Sequence, residues 1–134
     1  MKVNYDKTEA MWIGKSRFNE DKPLPLSWTD CVKILGIHLT YDDKVMNKLN
    51  FEDKLKSLNQ LIALWKQRDL TPLGKIVIMK TFGLSKFLYT SSVIGMPETI
   101  QKKINTAVFG FIWNGSDKVK RAVLTFNYSD GGLK

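Results

Sequence analysis

The sequence predicts an α+β fold: a small antiparallel β segment followed by a three- to four-helix bundle. Three observations predict it. In residues 32–40 Lys33 stands out while Leu35, Ile37 and Leu39 alternate with Ile34, Gly36 and His38, the period of a strand. Phe51, Leu55, Leu58, Ile62 and Trp65 then recur at steps of four, three, four and three, the stripe of an amphipathic helix. Thr71-Pro72 is a helix start, a hydroxyl to cap free amides and then proline in the first helical position, and Leu73, Ile76, Val77, Ile78, Met79 and Phe82 follow with few polar breaks. A helix so apolar is expected to be covered on most sides, which makes residues 65–89 the hub of the chain.

Taken in order, Asn4-Tyr5-Asp6-Lys7-Thr8 reads as a polar turn leading into a brief strand, Ala10-Met11-Trp12-Ile13, stopped by Gly14. Residues 15–25 are charged, carry two prolines and form an exposed loop. A second strand is expected near Leu26-Ser27-Trp28 and a third over residues 32–40, with Gly36 marking a bulge or a close backbone approach. Such a sheet is too small to be stable alone. Tyr41-Asp42-Asp43 ends it as a solvated turn. A helix starting near Asn47 or Asn50 runs to about Arg68, widened by Leu61 and Leu64, with Lys54, Lys56, Gln60 and Lys66 opposite. After the hub start, Gly83 weakens or bends the helix, which continues over residues 84–93. Gly95-Met96-Pro97 breaks it, and a last helix carries Ile100, Ile104, Ala107 or Val108, and Phe111 before Asn114-Gly115 caps it.

At 134 residues the chain has the length of one ordinary domain, and 43% hydrophobic with 25% charged residues is the composition of a globular protein. No apolar run approaches the ~20 residues of a membrane span, so no membrane partner is expected. The single cysteine, Cys31, excludes an internal disulfide and a zinc site, and fits a reducing cytoplasmic or nuclear setting. The net charge of +8 is uneven: residues 1–69 carry 12 basic and 10 acidic side chains, residues 70–134 carry 9 and 3. That surplus points to a polyanion, most often nucleic acid.

Six short pieces then fall in a fixed order. They are Asn4-x-x-Lys7-Thr8, Lys33-Ile34-Leu35-Gly36-Ile37, residues 65–68 before Leu70-Thr71-Pro72-Leu73-Gly74-Lys75, Tyr89-x-x-x-x-Ile94, Phe109-x-x-x-Trp113 and Gly131-Gly132-Leu133. In this order the chain resembles the reverse transcriptases of non-LTR (LINE-type) retrotransposons, over essentially its whole length. It departs from them at Ser85, where many relatives carry proline, so the break after the hub is expected to be softer. The resemblance implies a division into the end of a palm (1–43), a thumb bundle (44–115) and the start of a post-thumb linker (116–134).

The same resemblance implies the functional assignments. The chain would be a fragment of an RNA-directed DNA polymerase, gripping an RNA template and DNA primer duplex. Lys7 would lie near the incoming nucleotide, where a cation can offset charge on the leaving pyrophosphate. Leu35, Gly36 and Ile37 would form the hairpin that positions the primer end. The catalytic aspartates and their Mg2+ would belong to the palm and fingers upstream of Met1, so the chain alone is not expected to polymerise DNA and is expected to bind no cofactor itself. Tyr41-Asp42-Asp43 lacks the intervening residue of a metal-binding Tyr-x-Asp-Asp turn and follows the Lys-Thr motif instead of preceding it.

The residues themselves rank the cations. Lys75, Lys80 and Lys86 on or near the hub come first as phosphate contacts, then Lys102, Lys103, Lys118, Lys120 and Arg121. Lys75 is favoured because free amides at a helix start also attract phosphate. The aromatic series Trp65, Phe82, Phe87, Tyr89, Phe109, Phe111 and Trp113 has helical spacing and reads as core before it reads as a base-stacking surface. His38 and Cys31 have no partners in the sequence pattern. Two other readings compete: a stand-alone basic helical nucleic-acid-binding module, and an inactive remnant that binds protein.

Overall fold

The computed structural model describes residues 4–18, 21–124, 126–130 and 132. The fold is α+β, with two small two-stranded sheets and a helical bundle. Of the closing Gly131-Gly132-Leu133 piece, Gly132 alone lies among the described residues. The chain divides into two compact units, Met1–Asn50 and Phe51–Lys134.

The first unit starts with a 3-10 turn, Tyr5–Lys7, tied by the Thr8 hydroxyl donating to the Asn4 carbonyl at 2.6 Å. Strand β1 (Glu9–Ala10) pairs with β2 (Ser27–Trp28), Glu9 opposite Ser27 and Ala10 opposite Trp28. This pair is parallel, where one antiparallel sheet was expected. The intervening segment, with its 3-10 turn Gly14–Phe18 and two prolines, is long enough to carry the chain back and re-enter in the same direction. Residues 11–13 leave the strand, and Trp12 packs its ring on Trp28 with centroids 4.8 Å apart.

Strands β3 (Cys31–Ile34) and β4 (Ile37–Thr40) form an antiparallel hairpin with Ile34 opposite Ile37, where the alternation predicted a single strand over residues 32–40. Two residues, Leu35 and Gly36, make the turn with φ of +48° and +83°. Both central residues at positive φ is the requirement of a type I′ turn, whose twist matches that of the strands. Gly36 thus serves as a turn residue and not as a bulge.

Helix α1 (Asp43–Lys66) begins earlier than its stripe suggests. The cause is Asp42, whose carboxylate accepts from the Lys44 amide at 2.8 Å and whose carbonyl accepts from the Met46 amide at 2.8 Å. The acidic turn is therefore a helix cap. Within the first unit α1 also closes the hairpin. The buried Asn50 side chain accepts from the His38 amide at 2.9 Å and donates to the His38 carbonyl at 2.7 Å, as a neighbouring strand would.

The second unit holds the hydrophobic core. Helix α2 (Pro72–Ile78), a wide π-helical turn (Met79–Leu84) and α3 (Ser85–Ile94) run on as the hub helix, followed by α4 (Glu98–Trp113) and the short α5 (Arg121–Leu124). Phe51 and Leu58 from α1, Ile78, Met79 and Phe87 from the hub, and Ile104, Val108, Phe111 and Ile112 from α4 make one buried cluster. Each such side chain contributes about 1.5–3 kcal/mol of burial, so the predicted stripes of α1 and α4 account for most of what holds the bundle. Thr71 caps the hub by accepting from the Gly74 amide at 3.2 Å, with Pro72 opening the helix. Asn114, at φ +56°, ends α4 as its left-handed cap.

The hub is not covered on most sides, as its apolar run suggested. Lys75, Ile78, Met79, Gly83, Phe87 and Thr90 face inward, while Leu73, Val77, Phe82, Leu88, Tyr89 and Val93 are each 51–66% exposed. Gly83 packs against α1: a Cβ there would meet Leu58 Cδ1 at 3.0 Å, and Met79 Sδ of the hub itself at 3.3 Å. The bend expected at Gly83 takes the form of the wide turn, which includes it.

Candidate nucleic-acid interface

Lys75, the hub cation that the sequence favoured as a phosphate contact, is not on the surface. Lys75 is turned inward, 4% exposed, with Nζ donating to Asn114 Oδ1 at 2.6 Å and lying 5.3 Å from the centroid of the Phe111 ring. The physical reason is its place on α2: it shares the inward face with Ile78 and Met79, so its stem packs in the core and its ammonium must find a polar partner at the far side. Lys75 therefore ties the start of the hub to the end of α4 and does not offer its charge to a surface ligand. Lys86 is half-buried and donates to the Ser57 hydroxyl on α1. Lys80 is exposed.

The remaining candidates lie on α4 and beyond it. Lys102 and Lys103 are exposed, and Lys102 pairs with Glu98 at 2.7 Å, one helical turn earlier. Arg121 is engaged twice, with Asp117 at 2.6 Å and over the Phe109 ring at 4.7 Å. Lys118 and Lys120 are exposed on the segment before α5. Arg68 is stacked over Trp65 at 4.8 Å. The aromatic series is mixed: Phe87 and Phe111 are core, while Phe82 and Tyr89 are exposed on the hub.

One groove gathers cations that the sequence keeps far apart. It is an open cleft of about 620 Å³ between α1 and α4, lined by Glu52, Leu55, Lys56, Asn59, Lys102, Lys103, Thr106 and Ala107. Lys56 reaches Asp53 at 3.5 Å, and this pair and Lys102–Glu98 are both largely exposed. Exposed i,i+3 and i,i+4 pairs are worth ~0.3–0.5 kcal/mol, so either ammonium can turn to a phosphate at small cost. Lys103 makes no ion pair among the described residues. Lys56 carried no functional signal in the sequence, because it meets Lys102 and Lys103 through the packing of two helices.

In the first unit Lys7 is exposed in the Tyr5–Lys7 turn. Leu35 stands at the hairpin tip with 84% of its surface exposed, Gly36 beside it, whereas Ile37 is buried at 3% and supports the hairpin from below. Cys31 and His38, which the sequence left without partners, come together across the strands with Sγ and Nδ1 3.9 Å apart. Among the described residues no three His, Cys, Asp or Glu side chains converge to hold a metal ion. Among them too, no helix is long and apolar enough to cross a membrane. No family model matches the chain.

Proposed function

We propose that the chain is the palm end and thumb of a LINE-type reverse transcriptase, a segment that grips an RNA template–DNA primer duplex and leaves the chemistry to catalytic residues elsewhere in the polymerase. The observation that carries this reading is the β3–β4 tip. A leucine held at φ +48° and 84% exposed is held in a costly conformation, on the order of 1–2 kcal/mol, with no burial of its own to offset it. Strain of that kind at an exposed turn fits a part that touches a ligand, and a hairpin at this place is what the family resemblance assigns to the primer end. The helical unit supports the reading with 13 basic against 6 acidic side chains over residues 51–134, and with Lys56, Lys102 and Lys103 gathered at one groove.

The contacts expected of Lys80, Lys102, Lys103, Lys118 and Lys120 are phosphate contacts, which hold a duplex in register without reading its sequence. Equilibrium binding to a recessed primer–template and to a blunt duplex of equal length tests the proposal. A several-fold preference for the recessed end supports it. Equal affinity for both leaves the second reading, a general basic nucleic-acid-binding module, which the charge of the helical unit alone would favour. An upstream reading frame without a Tyr-x-Asp-Asp turn shortly before Asn4 would count against the family assignment itself.

A further inference from the structure

The exposed row on the hub helix has no role in the reading above. Leu73, Val77, Phe82, Leu88, Tyr89 and Val93 lie on one helical rod and are all half or more exposed. The polar residues between them add little polarity. The Thr81 hydroxyl donates to the Val77 carbonyl, Ser85 to Thr81, Ser91 to Leu88 and Ser92 to Tyr89, at 2.7–3.1 Å, so four hydroxyls are turned back into their own helix. Residues 70–97 contain no carboxylate, and of their three lysines Lys75 is buried and Lys86 is held by Ser57. The outward face is thus apolar, poor in free donors, and carries one exposed cation, Lys80.

We infer that this face binds a second copy of the same chain, hub against hub. Two observations choose that occupant. A single lysine is too little charge to hold a polyanion or an anionic lipid surface, each of which needs several cations, and a face without carboxylates has nothing for a basic partner. A nearly neutral apolar face is complementary to itself. The area is also right in scale: six side chains at half exposure or more amount to on the order of 600 Å² per copy, close to the ~800 Å² of a standard interface. The pair would sit at the lower end of specific interfaces, where weak and transient associations fall. The row belongs wholly to the hub and the cationic groove wholly to α1 and α4, so this inference does not rest on duplex binding.

Sedimentation velocity of the chain from about 1 to about 200 µM tests it, with V77E and V93E as disrupting variants. Both residues are more than half exposed, so the fold survives the substitution, which circular dichroism checks. L24E, at an exposed apolar position in the first unit, is the control. The expected result is a monomer–dimer equilibrium that either hub variant weakens at least tenfold and L24E leaves alone. A monomer throughout the range overturns the inference, as does a dimer indifferent to V77E and V93E. A monomer that floats with vesicles of mixed neutral and anionic phospholipid overturns it in favour of a lipid surface.

Discussion

Lys75 Nζ and Asn114 Oδ1, 39 positions apart in the sequence, meet at 2.6 Å and join the first turn of the hub to the last of α4. Asn114 does two things at once. Its backbone takes the left-handed cap, and its amide oxygen serves a buried ammonium. Asn114→Gly separates these, because glycine keeps the cap without strain. The variant is predicted to lose about 2 kcal/mol, the cost of a buried charged donor deprived of its acceptor. Lys75→Met, which removes the charge along with its need, is predicted to cost less than half of that. Urea unfolding midpoints give both values, and a larger loss for Lys75→Met than for Asn114→Gly would show that the bond is not what matters.

The hairpin tip carries a prediction with opposite signs for stability and function. Leu35→Asn places Asn-Gly in a two-residue turn with both φ values positive, the pair that this turn prefers. Stability is expected to rise by about 1 kcal/mol, while the preference for a recessed primer end falls. Thermal unfolding and the binding comparison read the two effects in one variant. If the preference survives, the leucine is not a contact.

Asn50 is predicted to govern the hairpin. Asn50→Ala leaves both backbone groups of His38 without the partner they have on α1, and amide hydrogen exchange at β3 and β4 is expected to rise by one to two orders of magnitude, for a loss of about 2 kcal/mol. Exchange in α4 is the internal reference. Uniform acceleration in both places would mean global destabilisation and not a local clamp.

What was legible in the sequence was the part governed by local rules. The steps of Phe51, Leu55, Leu58, Ile62 and Trp65, the Thr71-Pro72 start and the Asn114-Gly115 end all depend on residues within a turn or two of each other, and each is found in place. The candidate site was less legible, because charge is a property of a residue type while access is a property of the packed fold. Lys75 has the same formal charge as Lys103, yet one is held in the core by its position on α2 and the other stands on an exposed face. The role of Asn50 was hidden for a similar reason, since nothing near it in the chain announces that His38 lies alongside. The direction of β2 was misjudged because strands of two residues carry no alternation from which to read their pairing.

The groove between α1 and α4 yields a paired test of polyanion binding. Lys103→Ala is expected to lower the slope of log affinity against log salt by about 1, as the loss of one phosphate contact should. Glu98→Gln is expected to act in the opposite sense, because it releases Lys102 from its partner at 2.7 Å. Tighter binding by Glu98→Gln together with weaker binding by Lys103→Ala would mark the groove. Two unchanged slopes would remove it from consideration.

The wide turn at Met79–Leu84 bears on how this stretch can be aligned or shortened. Lys75, Met79, Gly83 and Phe87 are all buried at intervals of four, although four residues overshoot a regular helical turn by ~40°. The slow turn absorbs that drift and brings the four onto one side. Losing a single residue there would let the segment close as a regular α-helical turn, because five residues at ~100° carry the chain about as far round the axis as six at the slower step of the wide turn. Ser85 onward would keep its face and Phe87 would stay on the core side. A one-residue gap within 79–84 is therefore a change of pitch and not of face, and it is the one place in the hub where relatives could differ in length by a residue and still align on both sides.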